Sequence, residues 1–159
     1  VEGRRLDDDG NVILNFEDGI TGSLNASQVA LGEENGLSIR IYGSKGSISW
    51  RQMEPNSLVV RRKDRPMEIY RTATGFDAIG PVADAHSRLP AGHPEGFIEA
   101  FANLYRNFAL NLQAVNEGRE HDILFDYPGI EDGVRGMMFL EAVVRSSKED
   151  RWVELNQDL

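Results

Sequence analysis

Phe97, Phe101, Leu104, Tyr105, Phe108, Leu112 and Val115 recur at steps of 4, 3, 1, 3, 4 and 3, which is one face of a 3.6-residue period. Residues 94–116 therefore read as an amphipathic helix. The approach to it, Gly92-His93-Pro94-Glu95-Gly96, sets an ionisable ring at the helix mouth. Pro94 suits the first helical position, where a missing N–H costs nothing, and Glu95 in the first turn complements the positive end of the helix dipole. The aromatic face is expected to be buried, with Tyr105 a core residue whose hydroxyl reaches a polar rim.

Ahead of this helix the chain reads as strands. Val12–Phe16, Thr21–Val29, Leu37–Tyr42, Ser47–Arg51, Ser57–Arg62 and Met67–Thr72 are short β-prone runs, several alternating apolar and polar. Glu17-Asp18-Gly19, Gly32-Glu33-Glu34-Asn35-Gly36, Gly43-Ser44-Lys45-Gly46 and Glu54-Pro55-Asn56 lie between them as turns. Links this short imply an antiparallel meander. Gly75–Pro90 has no clean period and reads as a long connection. Asn116-Glu117-Gly118 ends the aromatic helix, and Asp126-Tyr127-Pro128-Gly129 opens a second that runs to about Ser147. Arg151–Leu155 alternates around Glu154 and is expected to return a last strand to the sheet. Strands precede helices along the chain, so the expected class is α+β, a mostly antiparallel open sheet with helices packed on one face.

Composition narrows the function. With 159 residues the chain is expected to form a single domain. It carries 17 Lys and Arg against 26 Asp and Glu, a net charge of −9, and no basic cluster of the size nucleic-acid binding requires. Without cysteine there is no thiolate nucleophile, thiolate metal site or disulfide, and a reducing cytoplasm is the expected setting. His86, His93 and His121 lack the spacing of a helical zinc pair, so no metal site is expected. No apolar run approaches the roughly 18 residues of a membrane span, and Val1-Glu2-Gly3-Arg4-Arg5 shows no hydrophobic signal region. The sequence has no internal repeat. It also lacks a Gly-x-Gly-x-x-Gly between strand and helix, a Gly-x-Ser-x-Gly elbow and a phosphate loop with its lysine. Glycines around Gly32–Gly36 and Gly43–Gly46 join strands and cannot aim a helix dipole at a pyrophosphate.

These residues resemble the C-terminal domain of the glucose–fructose oxidoreductase, inositol dehydrogenase and MocA group of NAD(P)-dependent sugar oxidoreductases. The resemblance rests on Asp18-Gly19 with Gly22-Ser23-Leu24-Asn25-Ala26-Ser27-Gln28, on Ile41-Tyr42-Gly43-Ser44-Lys45-Gly46, and above all on Pro90-Ala91-Gly92-His93-Pro94-Glu95-Gly96-Phe97 with Glu99-Ala100-Phe101. Asp132-Gly133, Glu141-Ala142 and Ser146-Ser147 continue it, so it covers nearly the whole chain. The block around His93 is the most specific and points to one subgroup of dehydrogenases. The resemblance implies an N-terminal Rossmann domain ahead of this one, holding NAD or NADP and the catalytic lysine and histidine. None of those maps here, so the chain looks like a C-terminal fragment of a longer enzyme, inactive alone and without a cofactor of its own. Its implied tasks are a wall of the sugar or polyol pocket and a homodimer or higher homo-oligomer interface through the sheet.

Candidate substrate-binding residues are His93, Gln28, Asn35, Glu34 and Glu95, and no catalytic residue is assigned. His93 can hydrogen-bond a sugar hydroxyl or titrate near neutrality; the competing reading is a loop histidine that satisfies backbone groups. Glu95 reads first as a first-turn dipole partner rather than a catalytic acid, and it is close enough to orient the ring. Gln28, Glu34 and Asn35 stand at a strand end and in a glycine-bounded turn, where they can meet polyol hydroxyls, although turn chemistry accounts for Asn35 equally well. Trp50, with Arg51 and Met53 beside it, can stack on a sugar ring or pack in a core or interface. Arg61, Arg62, Lys63 and Arg65 form the one basic run, an acidic-ligand site or a solvated strand end. His86 beside Asp84 and His121 beside Asp122 can form dyads, with a structural or surface role as the simpler reading. Two rival functions stand beside the dehydrogenase wall: a purely structural assembly module, and a free-standing carbohydrate-binding domain. A chain opening at Val1 without methionine or export signal speaks against the second.

Overall fold

The computed structural model describes Gly3, residues 6–75 and residues 79–155. Val1-Glu2 and Arg4-Arg5 of the opening segment and residues 76–78 of the long connection lie outside the described residues. The chain folds as two compact units, Asn35–Tyr127 and a second formed by Val1–Glu34 with Pro128–Leu159.

The discontinuous unit holds a hairpin and a long helix. Strands β1 (Asp9–Asn15) and β2 (Thr21–Ser27) pair antiparallel, with Val12 opposite Leu24 and Leu14 opposite Gly22. Gly10, Val12 and Leu14 are half-buried while their neighbours face outward, the period-2 pattern expected of a one-sided strand. The turn closes when the Phe16 N–H donates to Ile20 O and the Gly19 N–H to Phe16 O, and Gly19 there takes φ +75°, a left-handed conformation that favours glycine. Helix α3 (Ile130–Glu149) begins where the Gly129 N–H donates to Asp132 Oδ2 at 2.8 Å.

The continuous unit carries a four-stranded antiparallel meander, β3 (Ser38–Gly43), β4 (Gly46–Arg51), β5 (Ser57–Arg62) and β6 (Arg65–Arg71), in that spatial order. The register puts Arg40 opposite Ser49 and Ile41 opposite Ile48, so one face is polar and the other aliphatic. At Gly46 a Cβ would stand 2.3 Å from Arg61 O, so only glycine admits this approach of β4 to β5, beside the register shift between Val60 and Arg62. A short helix, α1 (Pro81–Ala85), precedes α2 (Phe97–Asn116), and a 3-10 turn follows at Ile123–Phe125.

The class is α+β, with the six strands expected ahead of the aromatic helix and both long helices present. Four details differ from expectation. The strands divide between a two-stranded and a four-stranded sheet. Helix α2 starts at Phe97 rather than Pro94, and α3 at Ile130 rather than near Asp126. Residues 81–85 of the long connection are helical, with Pro81 in the first turn. Arg151–Leu155 forms no strand, because the Arg151 N–H and C=O both bond to Ser146 in the last turn of α3. That helix closes on Asp150 in the left-handed region, φ 48°.

Candidate functional site

Asn56, in the turn between β4 and β5, determines where α2 begins. Its Nδ2 donates to Glu95 O at 2.7 Å, and its Oδ1 accepts from the Glu95 N–H at 3.3 Å. A side-chain amide thereby pairs with both main-chain groups of Glu95 as a neighbouring strand would, and holds that residue out of helical geometry. Thr72 Oγ1 donates to the same Oδ1 at 3.3 Å, tying the clamp to the end of β6. The helix starts immediately after: Gly96 is the N-cap, and its N–H donates to Glu99 Oε2 at 2.9 Å. Glu99, not Glu95, is the first-turn acid. Hydrogen bonding from the Gly96 N–H is the largest influence holding its carboxyl below the usual glutamate range.

Glu95 has a different role. Its Oε1 accepts the N–H groups of Arg88 and Leu89, each at 2.5 Å, so one carboxylate draws the start of the loop onto its end. Residues 88–95 become a closed loop with His93 inside it. The ring lies on this exposed loop and not at the helix mouth, since three residues separate it from Phe97. His93 Nδ1 sits 3.1 Å from Pro90 O, which fixes Nδ1 as the donor and leaves Nε2 as an acceptor facing away from that contact. Such a nitrogen can accept a hydrogen bond from a hydroxyl.

The remaining candidates are distributed. Asn35 shares the unit of His93, but it works through its carbonyl, which accepts from Gln52 Nε2 at 2.9 Å and from the Leu37 N–H at 3.1 Å. Gln28 and Glu34 belong to the other unit and are exposed; the Gln28 N–H donates to Asp8 O at 2.7 Å. Trp50 is half-buried, with Nε1 donating to Pro55 O at 2.9 Å. Strand alternation splits the basic run: Arg61 reaches Ser49 Oγ at 3.1 Å on the polar face, whereas Arg62 pairs with Glu68. Neither histidine dyad forms as the sequence suggested. Asp122 caps the 3-10 turn through the Leu124 N–H, and His121 Nε2 stands 3.3 Å from Asp126. His86 places Nδ1 on Val82 O at 2.6 Å and receives Asn107 Nδ2 at Nε2, 2.8 Å away.

That last contact belongs to a set of residues with no counterpart in the sequence reading. Asn103, Asn107 and Asn111 recur every four residues on α2, and all donate to backbone carbonyls outside the helix: Asn103 to His86 O, Asn107 to Asp126 O and Asn111 to Phe125 O. Asn107 is 2% exposed. The signal was available, because asparagine is a poor helix-interior residue and three in register need a reason. By contrast Phe101 is 48% and Tyr105 73% exposed, so the aromatic stripe expected to be buried lacks that cover here. The difference is physical: irregular loops at 85–90 and 121–127 carry orphan carbonyls, and a face of amides satisfies them where phenyl rings cannot.

The described residues do not fit a nicotinamide dinucleotide. Every strand pairing is antiparallel, and among the described residues no strand runs through a glycine turn into a helix N-terminus, the arrangement that binds a pyrophosphate.

An α+β fold of antiparallel sheets and long helices, with a clamped histidine loop and, among the described residues, no dinucleotide cradle, is the class that fold and site define. The chain matches the oxidoreductase family's C-terminal α/β domain over residues 1–155. It belongs to the glucose–fructose oxidoreductase, inositol dehydrogenase and MocA family. An uncharacterized oxidoreductase of Bacillus subtilis, YfiI, is 36% identical over 94% of this chain and 38% of its own length. The crystal structure of an oxidoreductase from Sinorhizobium meliloti superimposes with TM-score 0.88 at 42% identity, over 97% of this chain and 43% of that one. An inositol dehydrogenase homolog from Azotobacter vinelandii, solved with NADH and myo-inositol, gives TM-score 0.81 at 32% identity, over 90% of this chain and 38% of that one. The chain thus spans less than half the length of these relatives.

Proposed function

We propose that the whole protein is an NAD(P)-dependent dehydrogenase acting on a hydroxyl carbon of a sugar or polyol, and that this chain supplies one wall of its substrate pocket. The observation that carries the reading is the His93 loop. An exposed imidazole has one nitrogen committed to Pro90 O and the other open, on a loop closed by Glu95 and anchored to the sheet by Asn56. This is a preorganised hydroxyl acceptor. Positioning of this kind lowers the ordering cost of binding a flexible, hydroxyl-rich ligand. The Azotobacter vinelandii homolog, solved with myo-inositol, supports the substrate class, and its bound NADH supports the cofactor. NAD or NADP binds mainly to a separate N-terminal domain, so this chain alone is inactive. A cytoplasmic setting suits a reaction that draws on a nicotinamide pool.

His93→Leu in the full-length protein tests this. Losing one hydroxyl contact is expected to raise KM for the polyol roughly tenfold, at about 1.4 kcal/mol per factor of ten, while NAD(P) affinity stays the same. His93→Asn, which keeps an acceptor, is expected to recover part of the loss. Unchanged KM in both variants would remove His93 from the pocket.

The second proposed role is homo-oligomerisation through the sheet. It is favoured by the aliphatic face of β3 and β4, where Ile39 and Ile41 are 55% and 53% exposed. Ile39→Lys with Ile41→Lys is expected to shift the protein to monomer in light scattering if that face pairs two copies.

A further inference from the structure

The opposite face of the same sheet carries a charge pattern that neither role uses. Register places Arg40 of β3, Ser47, Ser49 and Arg51 of β4, Arg61 of β5 and Arg71 of β6 on one side. Four arginines share this side, and none of its strand positions is a carboxylate. Yet the chain as a whole has nine more acidic than basic residues, a net charge of −9. Arg40, Arg51, Arg61 and Arg71 form no ion pair among the described residues, whereas Arg62, pointing the other way, is paired to Glu68.

The strands bring two of these arginines to one spot. Arg40 lies directly across from Ser49, and Arg61, across from Ser47, leans along the face so that its Nη1 donates to Ser49 Oγ at 3.1 Å. Both guanidinium groups therefore flank the hydroxyls of β4. The face is concave, with a volume of ≈ 450 Å³, and Glu54 is the one acidic residue in its lining among the described residues. Arg40 on β3 and Arg61 on β5 stand on either side of β4, and an anion seated over β4 between them is attracted by both. Guanidinium forks and hydroxyl donors match the oxygens of a phosphoryl group, and a concavity of this size takes a small phosphorylated molecule.

We infer that the polar face of the β3–β6 sheet is an anion site, with Arg40 and Arg61 holding a phosphoryl group over Ser47 and Ser49. The site is separate from the His93 loop and does not depend on the proposed substrate class. Inorganic phosphate is the probe, titrated into the full chain against sodium chloride at matched ionic strength, with thermal unfolding and light scattering read together. A saturable rise in Tm is expected in the wild type. Arg40→Gln and Arg61→Gln should each weaken the apparent phosphate affinity roughly tenfold or more, the scale of one charge-assisted hydrogen bond. Arg61→Lys, which keeps the charge without the fork and protects the test against a misfolded variant, should weaken it less, and Arg119→Gln should leave it unchanged. A rise that grows without saturating and is equal in all variants would be general salt exclusion and would overturn the site. So would loss of self-association in Arg40→Gln and Arg61→Gln with no phosphate effect on the wild type, since carboxylates of a second copy would then be the occupant.

Discussion

The two sides of α2 are built on opposite terms. One side presents Asn103, Asn107, Asn111 and Ala114, of which the last three are buried, and its amides tie the helix to the carbonyls of His86, Phe125 and Asp126. The other presents Phe97, Phe101, Tyr105 and Leu112, each between 48% and 73% exposed. The polar side is complete within the chain, because hydrogen bonds to irregular backbone must be satisfied locally or left to water. The apolar side is not complete: Phe97 and Phe101 lie against each other, with ring centroids 4.7 Å apart, and both remain exposed. A helix of this design holds its own loops with one face and keeps the other for cover from elsewhere.

The sharpest way to break this contrast is to exchange one residue from each side. Asn107→Leu removes donors from Asp126 O and His86 Nε2 in a buried setting and is expected to destabilise the chain by about 2–3 kcal/mol in urea unfolding, at roughly 1–3 kcal/mol per group left unpaired. The full sum is not expected, because Asn107 Oδ1 has no partner and its removal offsets part of the loss. Phe101→Ser, on the exposed side, is expected to change stability by less than about 0.5 kcal/mol. Equal losses would mean that the aromatic stripe is covered in solution.

The same contrast explains what could be read in the sequence and what could not. Strand runs such as Ser57–Arg62 and the body and end of α2 follow from periodicity and its stop signals, which report how a segment folds with itself. The start of α2 escaped that reading, because Asn56 imposes it from thirty-nine residues away and no local pattern records such a reach. Pro94 and Glu95 carry the right chemistry for a helix start, but a tertiary contact outweighs it. Arg151–Leu155 alternates like a strand, but alternation over five residues is weak beside two hydrogen bonds to Ser146. His93 was legible as a candidate from its glycine-bracketed setting. The partners that hold it, Asn56 and the Glu95 carboxylate, emerged only from geometry.

Asn56→Ala sharpens the comparison at the loop. It removes the amide that stands in for a strand beside Glu95, and the expected cost is about 1–2 kcal/mol, below that of Asn107→Leu because the contact is only partly buried. Faster hydrogen exchange at the Glu95 amide, with the Leu58 and Val60 amides of β5 unchanged, would show that the loss is confined to the loop. Exchange accelerating throughout the sheet would show instead that Asn56 holds the meander together.

The smallest effect belongs to the point where the two sides of α2 meet, the Gly96 cap. Glu99 accepts the Gly96 N–H, and its carboxyl lies below the ordinary glutamate range, first through that hydrogen bond, then through its own backbone N–H, with a further contribution from Arg88. A carboxyl depressed in the folded state stabilises it fully above the unfolded value, about 4.3, and the contribution disappears as pH falls through the lower folded value. Glu117, at the far end of the helix, is lowered chiefly by its hydrogen bond from Arg119 and has the same sign, so the pH profile of the wild type alone mixes the two. The difference between wild type and Glu99→Gln separates them. Glutamine keeps an acceptor for the Gly96 N–H but does not titrate, so the two proteins should differ most near pH 7 and converge as pH falls through the lowered folded value of Glu99. A gap that persists unchanged into acid would mean that the carboxylate charge plays no part in starting α2, and that Asn56, by excluding Glu95 from the helix, sets its first residue alone.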